Sequence, residues 1–181
     1  RKRYYKEGGS VKDVKLEIDR LKKYKRGGAV TAISLKGIPL KGPGDGQADK
    51  IKQKIPQDTW INDAEFVSRM GNGTTEAGHK AIHEFEGFIK KDLYPLYKDK
   101  LKEQSKKVDN IPCAVANGEH PTPRLLVGAL GKGSFEEGAK VMREVREEVR
   151  KEIRKGSIKN IPPSVKPMKV YYDRVMQRRG E

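Results

Sequence analysis

The chain has 181 residues, of which 40 are Lys or Arg and 25 are Asp or Glu, so its formal net charge is +15. Only 34% of the residues are hydrophobic and 36% are charged, which allows one modest core or two thin ones but not the thick core of a large enzyme. The sequence contains no apolar run of the roughly 20 residues that a membrane span needs, no initial apolar segment that predicts a secretory signal, and one cysteine, Cys113, which excludes an intrachain disulfide framework.

The positive charge is concentrated at the two ends of the chain. Basic and acidic residues number 14 and 6 in residues 1–50, 18 and 16 in 51–151, and 8 and 3 in 152–181, which gives +8, +2 and +5. Basic ends beside a nearly neutral body suit a polyanion or an acidic protein surface, and basic patches do not distinguish the two. The candidate contact residues are Arg1, Lys2, Arg3, Lys22, Lys23, Arg26, Arg174, Arg178 and Arg179.

The first fifty residues are predicted to form a basic helix and an extended arm. Val11, Val14, Ile18 and Leu21 recur at helical spacing and predict a helix over residues 10–26. Residues 29–50 follow, with four glycines and two prolines between positions 37 and 46 that exclude a helix or a central strand. We expect this stretch to be a connector that lies on another surface.

The centre of the chain contains an internal repeat. Residues 58–91 align without gaps on residues 118–151, at a constant offset of sixty, and eight of the thirty-four positions are identical. Further positions are conservative and fall at helical spacing, as in Ile82/Met142 and Phe85/Val145. A repeated fold unit should preserve such positions, because they face its core.

Each unit is predicted to be a short helix, a tight Gly-x-Gly turn and a longer helix. Thr74 and Ser134 are expected to cap the longer helices, with Glu137 completing a capping box in the second unit. The first long helix is expected to break before Pro95 and the second to end at Gly156. The residues assigned a structural role in the turns are Gly71, Gly73, Thr74, Gly78, Gly131, Gly133, Ser134 and Gly138.

The fold class is therefore predicted to be mainly α, with two helical repeats, Gly/Pro-rich connectors and basic terminal arms. The expected divisions are an N-terminal helix and arm at 1–50, a first unit at 51–108, a second at 109–156 and a basic arm at 157–181. Residues 92–117 are expected to connect the units. Residues 169–181 could form either a helix or a strand.

No constellation in the sequence indicates catalysis. His79 and His83 share one face of a predicted helix, but zinc peptidases place a Glu after the first His where this chain has Lys80, and His120 is the only other histidine. We therefore predict ordinary helix residues here, with no metal and no cofactor. Cys113 lies among small apolar residues and is predicted to be an inert thiol. We expect the protein not to be an enzyme.

One segment resembles a known family. Residues 109–119 read Asp-Asn-Ile-Pro-Cys-Ala-Val-Ala-Asn-Gly-Glu, and residues 126–134 read Leu-Val-Gly-Ala-Leu-Gly-Lys-Gly-Ser. Together with Gly138 they resemble a recurrent segment in minor virion proteins of tailed bacteriophages. The first unit resembles it again through Ile55-Pro56, Phe66–Thr74 and Gly78, after the Gly/Pro-rich strip at 41–46. The chain departs from the family at His120-Pro121, where the family has an aromatic residue and Val.

The resemblance covers residues 41–91 and 109–151, about half of the chain. It implies a structural component of a virion assembled in the host cytoplasm, present in several copies and in contact with other virion proteins. The net charge favours an internal or ejected protein, or one at the head–tail connection, close to packaged DNA. The alternative is a nucleic-acid-binding protein that contacts DNA through its basic ends.

Overall fold

A computed structural model describes residues 34–42, 51–106, 108–157 and 165–180. The described chain is mostly helical, which confirms that part of the predicted fold class, and it has two small antiparallel sheets. Its elements are β1 (Ile51–Pro56), β2 (Trp60–Asn62), α1 (Ala64–Met70), α2 (Thr75–Phe88), a π-helical turn (Ile89–Leu93), α3 (Tyr94–Gln104), β3 (Asn110–Val115), β4 (His120–Thr122), α4 (Arg124–Leu130), α5 (Phe135–Ser157) and α6 (Met168–Arg179). The predicted helix at 10–26 lies outside the described residues.

The strands pair across a long sequence separation. β1 pairs with β3, with Ile55 opposite Ile111, and β2 pairs with β4, with Ile61 opposite Pro121. The sequence analysis did not predict these strands, because two are only three residues long and the other two contain the prolines of the Ile-Pro motifs. Pro56 is the last residue of β1, and Pro112 lies in a sheet of only two strands, so each ladder tolerates its proline.

Glycines allow the short helices to lie directly against the long ones. Any Cβ at Gly78 would overlap the carbonyl oxygen of Val67, and any Cβ at Gly138 would overlap that of Val127. The backbones of α1 and α2 are therefore in direct contact at Gly78, and those of α4 and α5 are in direct contact at Gly138. Asn72 and Lys132 both adopt positive φ in the turns between these helices, each followed by a glycine that does the same.

One hydrophobic cluster runs through both parts of the chain. It includes Phe66, Ile82 and Phe85 from the first part, and Leu126, Met142 and Val145 from the second. The stripe predicted on the long helices is therefore buried, as its spacing indicated. A smaller cluster of Leu40, Ile55 and Val115 lies under the β1–β3 sheet.

The C-terminal segment packs onto this core over part of its length. α6 buries Met168, Tyr171 and Val175 in the main cluster. The structure thus selects the helix from the two conformations that the sequence left open, and residues 168–179 are not an extended arm. The apolar residues of this segment recur at steps of three and four, so a helix can bury them on one face.

Two local predictions about helix ends are wrong. The helical path does not break before Pro95, because a π-helical turn precedes it and Pro95 lies in the first turn of α3, where a missing N–H costs nothing. The Thr74 hydroxyl donates to the carbonyl of Gly71 at 3.2 Å and does not cap α2. Ser134 does accept the Glu137 N–H at 3.3 Å, as predicted. The expected capping box is only half formed, because the Ser134 N–H donates to the Gly131 carbonyl at 3.0 Å and the Glu137 carboxylate pairs with Lys140.

Every helix in the described ranges is too short or too polar to cross a lipid bilayer.

Candidate functional site

Four polar side chains meet where α2 passes β4. His79, His83 and Glu86 lie on one face of α2, spaced four and three residues apart, and His120 begins β4. We call these four residues the histidine–glutamate cluster. Glu86 is 3% exposed, His120 is fully buried, and His83 is 28% exposed. The cluster is therefore a buried polar group with one side open to solvent.

Glu86 is the centre of the cluster. Its Oε1 lies 3.0 Å from Nε2 of His120, and its Oε2 lies 3.0 Å from Nδ1 of His83. The backbone N–H of Gly37 also donates to Oε2, at 3.0 Å. A buried carboxylate is costly unless it is hydrogen-bonded, and here both oxygens have partners.

His79 extends the cluster through His120. The two Nδ1 atoms lie 3.1 Å apart, so one must carry a proton and the other must accept it. Burial is the main cause that lowers the pKa of His79 to about 4, and His120, His83 and Lys41 lower it further. His79 is therefore neutral near pH 7.

Hydrogen bonds keep Glu86 ionised. Burial alone would raise its pKa, but hydrogen bonds from His120, His83 and the Gly37 backbone outweigh that effect, and the pKa is lowered. The cluster thus presents one carboxylate and three imidazoles in a small volume. Such a set can share protons or bind a cation.

An extended segment covers the cluster. Residues 34–42, which we call the strap, cross the gap between α2 and β4. Leu40 exchanges backbone hydrogen bonds with Glu119 and Gly118, each at 2.9 Å, and Gly42 donates to the side chain of Asn117 at 3.2 Å. Any Cβ at Gly37 would overlap the His120 ring and the carbonyl of Pro121, so only glycine fits at this position.

The predicted turn residues all lie at the two helix–turn–helix junctions. Gly71, Gly78, Gly131 and Gly138 fill positions where a side chain would collide with backbone, while Gly73 and Gly133 adopt positive φ. They position helices and do not line the cluster.

The predicted basic contacts fall into two sets. Arg1, Lys2, Arg3, Lys22, Lys23 and Arg26 lie outside the described residues. Arg174, Arg178 and Arg179 lie on α6 and pair with Glu152, Glu148 and Glu144 of α5. These three arginines therefore hold α6 against α5.

Sequence reasoning considered His79 and His83 together, named His120 only as a distant third histidine, and did not consider Glu86 as their partner. His120 is 37 residues beyond His83, and only the strand pairing brings it close. The His120-Pro121 pair, which interrupts the resemblance described in the sequence analysis, was the one signal that could have drawn attention to it. Glu86 falls on the same helical face as His79 and His83, but a single glutamate on a charged helix carries no signal alone.

Cys113, which the sequence predicts to be a buried inert thiol, is half-buried in β3. Burial, followed by the charge of Glu119, raises the pKa of its thiol, and Sγ lies 3.6 Å from the carbonyl of Gln53. A raised pKa leaves little thiolate near pH 7, so the group is a weak nucleophile.

The chain matches no protein-family model, no curated protein and no solved structure.

Proposed function

We propose that this protein is a non-enzymatic minor structural component of a tailed-bacteriophage virion, either internal and ejected with the DNA or located at the head–tail connection. It would bind neighbouring virion proteins through two related helical units and through its ends. The resemblance of residues 41–91 and 109–151 to minor virion proteins supports a place in the particle. The arrangement of those same residues supports an assembly role.

The symmetric strand pairing carries the proposal. Ile61 and Pro121 are sixty residues apart, which is the offset of the repeat, and they stand opposite each other at the centre of the β2–β4 ladder. Trp60 pairs with Thr122, and Asn62 pairs with His120. At the offset of sixty, Trp60 is equivalent to His120 and Asn62 to Thr122, so a two-fold axis through the centre would convert one pair into the other. Ile55 and Ile111, from the two Ile-Pro motifs, pair in the same way in the β1–β3 ladder.

Such pairing is the geometry of a two-fold dimer contained in one chain. In an isologous contact each unit offers the same surface to the other. Here each unit supplies one strand to each of the two ladders. A single unit alone would therefore leave the edges of both its strands unpaired. A module with self-complementary edges suits a component that joins subunits.

Two large apolar side chains of the described residues are exposed. Leu96 on α3 is 69% exposed and Ile111 on β3 is 49% exposed. Each two-stranded sheet also has outer backbone edges. In other proteins, exposed sheet edges of this kind pair with an added strand from a partner. These features support contacts with neighbouring proteins.

The test is mass spectrometry of gradient-purified particles, with intact virions compared with particles that have released their DNA. We expect the chain in intact particles at a constant ratio to the major capsid protein. Loss on DNA release indicates an internal or ejected protein, and retention indicates the head–tail connection. Absence from both preparations would contradict a virion role.

The alternative, DNA binding by the free chain, is favoured by the +8 charge of residues 1–50. It predicts tight binding by the purified full chain that weakens steeply with salt, because neutralised phosphates release counterions. The matched variants replace Arg1, Lys2 and Arg3 in one case and Arg174, Arg178 and Arg179 in the other with glutamine. Because the second set is paired with glutamates, we expect only the first to reduce DNA binding.

A further inference from the structure

We propose that His83, Glu86 and His120 form a binding site for a divalent transition metal of the zinc type, located beneath the strap between α2 and β4. Two imidazoles and one carboxylate are a ligand set that zinc takes in proteins. Two ligands come from α2 and the third from β4, so the metal would join the helix to the β2–β4 sheet. This inference does not depend on the virion role.

The distances match a metal site. One ligand atom from each of the three residues can be chosen so that all lie within 4.8 Å of one another. The Glu86 oxygens lie 3.0 Å from Nδ1 of His83 and from Nε2 of His120. Zinc bonds of about 2.0–2.2 Å place neighbouring ligand atoms about 3.3–3.6 Å apart. A metal therefore requires the 3.0 Å contacts of Glu86 to lengthen slightly, and any longer separation in the set, up to 4.8 Å, to shorten.

The surrounding groups would orient the ligands. If Nε2 of His120 binds the metal, the ring proton is on Nδ1, which lies 3.1 Å from Nδ1 of His79 and can donate to it. The Gly37 N–H donates to Oε2 of Glu86 and fixes the carboxylate. Hydrogen bonds of this kind to the far side of metal ligands are typical of protein metal sites.

The related segment has no histidine at these positions. The positions sixty residues after His79, His83 and Glu86 hold Ala139, Arg143 and Arg146 on α5, and the position sixty before His120 holds Trp60. Arg146 pairs instead with Asp63. The cluster is therefore particular to the first segment, as a site added to one of two related segments would be.

A metal held by these three residues would take one further ligand. Three protein ligands leave the fourth position of a tetrahedral ion open, and zinc commonly holds water there. His83 is 28% exposed, so the ion and the water can enter from that side. Hard cations such as Mg²⁺ prefer oxygen ligands, so we expect the site to discriminate against them.

The experiment uses the full chain without a histidine tag, stripped with a chelator and dialysed. Titration with Zn²⁺ should show one equivalent bound, which excess Mg²⁺ does not displace. Titration with Co²⁺ should give the visible absorption bands of a tetrahedral ion. Zn²⁺ should also raise the thermal midpoint of unfolding.

The decisive variant is His83→Arg, which introduces the residue that α5 carries sixty positions on and is therefore compatible with the helix. It should abolish stoichiometric Zn²⁺ binding and the Co²⁺ bands, while circular dichroism stays helical. Glu86→Gln keeps the side-chain shape and should also abolish binding. His79→Ala should weaken Zn²⁺ affinity about 10–100-fold, which is the usual effect of removing an outer hydrogen bond.

Lys80→Ala, on the exposed side of the same helix, is the control and should bind Zn²⁺ as the unmodified chain does. The proposal is overturned if the unmodified chain binds no Zn²⁺ at micromolar concentration. It is equally overturned if His83→Arg retains the Co²⁺ spectrum. In either case the cluster is a hydrogen-bonded network that ties the strap to α2.

Discussion

The segments 58–91 and 118–151 align without gaps and share eight of thirty-four residues, but they differ at the positions of the histidine–glutamate cluster. Both place a glycine of the long helix against a valine carbonyl of the short helix, Gly78 on Val67 and Gly138 on Val127. On the same long helices, His83 and Glu86 in the first segment correspond to Arg143 and Arg146 in the second. Backbone contact fixes the glycines, whereas the fold tolerates different side chains a turn or two further along.

Backbone conformation is also shared by the two segments where their side chains differ. Asp58 and Gly118 both have positive φ, as do Asn72 and Lys132, and Gly73 and Gly133. The conformations match at the offset of sixty even where the residues do not. The comparison therefore separates the backbone conformations that both segments share from the side chains that only one of them carries.

The largest expected effect comes from the helix contacts. Gly78→Ala and Gly138→Ala should each lower the free energy of unfolding by about 3–5 kcal/mol, because a Cβ would collide with a backbone carbonyl that cannot move aside. Urea denaturation followed by circular dichroism measures this.

Gly87→Ala is the matched control for these glycines. Gly87 lies on the same helix as Gly78, but a Cβ there meets nothing within 4 Å. The change should be neutral or should stabilise by up to about 1 kcal/mol, because alanine restricts the unfolded chain. Equal losses at positions 78 and 87 would refute the close-contact explanation.

The second effect concerns the ion pair between Arg124 and Asp58, which has no counterpart at the corresponding positions of the repeat. Arg124 is 4% exposed and donates to Asp58 and to Ser105, each at 3.0 Å, and its guanidinium lies 4.0 Å from the Phe135 ring centre. The corresponding positions hold Ala64 and Gly118. Asp58→Asn tolerates the same positive φ but leaves a buried guanidinium without its counter-charge, so we expect a loss of about 1–3 kcal/mol.

The control for this pair is Asp173→Asn, which removes the exposed partner of Lys169 one helical turn away. It should change the free energy of unfolding by less than about 0.5 kcal/mol. A loss as small as this for Asp58→Asn would mean that solvent screens Arg124 despite its burial.

Local patterns predicted the local parts of this fold. The stripe of Ile82, Phe85, Ile89 and Leu93 identified the first long helix, because a 3.6-residue period is a property of the segment itself. The first three members are buried, and Leu93 is half-buried against the same core. The glycine turns were found because Gly71, Gly73 and Gly78 recur as Gly131, Gly133 and Gly138 at the offset of sixty. The strands were missed, since three residues such as Trp60–Asn62 carry no periodicity and gain stability only from a partner sixty residues away.

The candidate site escaped prediction for a related reason. His79 and His83 are neighbours on a helix, and spacing alone revealed them. Glu86 becomes significant only once β4 brings His120 to its carboxylate, and Gly37 matters only because the strap passes over both. Contacts between distant segments depend on the tertiary fold, which one sequence does not provide.

A smaller effect comes from α6, which packs on the second segment's long helix. Arg179 and Arg178 are the main causes that lower the pKa of Glu144 and Glu148 below the ordinary value of 4.5. A carboxylate with a lowered folded pKa stabilises the fold above its unfolded pKa, and this stability is lost as the pH falls through the folded value. These pairs are partly exposed, so each should contribute below about 1 kcal/mol.

The measurement compares the unmodified chain with Arg179→Gln at two pH values. At pH 7 the variant should be less stable by a few tenths of a kcal/mol to about 1 kcal/mol, and at pH 3 the difference should shrink because Glu144 becomes protonated. High salt at pH 7 should reduce it as well. A difference that is independent of pH and salt would show that Arg179 acts through packing alone.

The smallest effect tests the turns themselves. Asn72 and Lys132 have the same left-handed conformation, with φ of 52° and 53°, but asparagine adopts it more readily than lysine. Lys132→Asn makes the second turn match the first and should raise the free energy of unfolding by about 0.5 kcal/mol. The reciprocal Asn72→Lys should cost at least as much, because Asn72 also accepts the Val165 N–H at 3.3 Å. Opposite signs would show that both turns impose the same backbone demand, whereas a loss in both variants would mean that the side-chain contacts of Lys132 outweigh its strain.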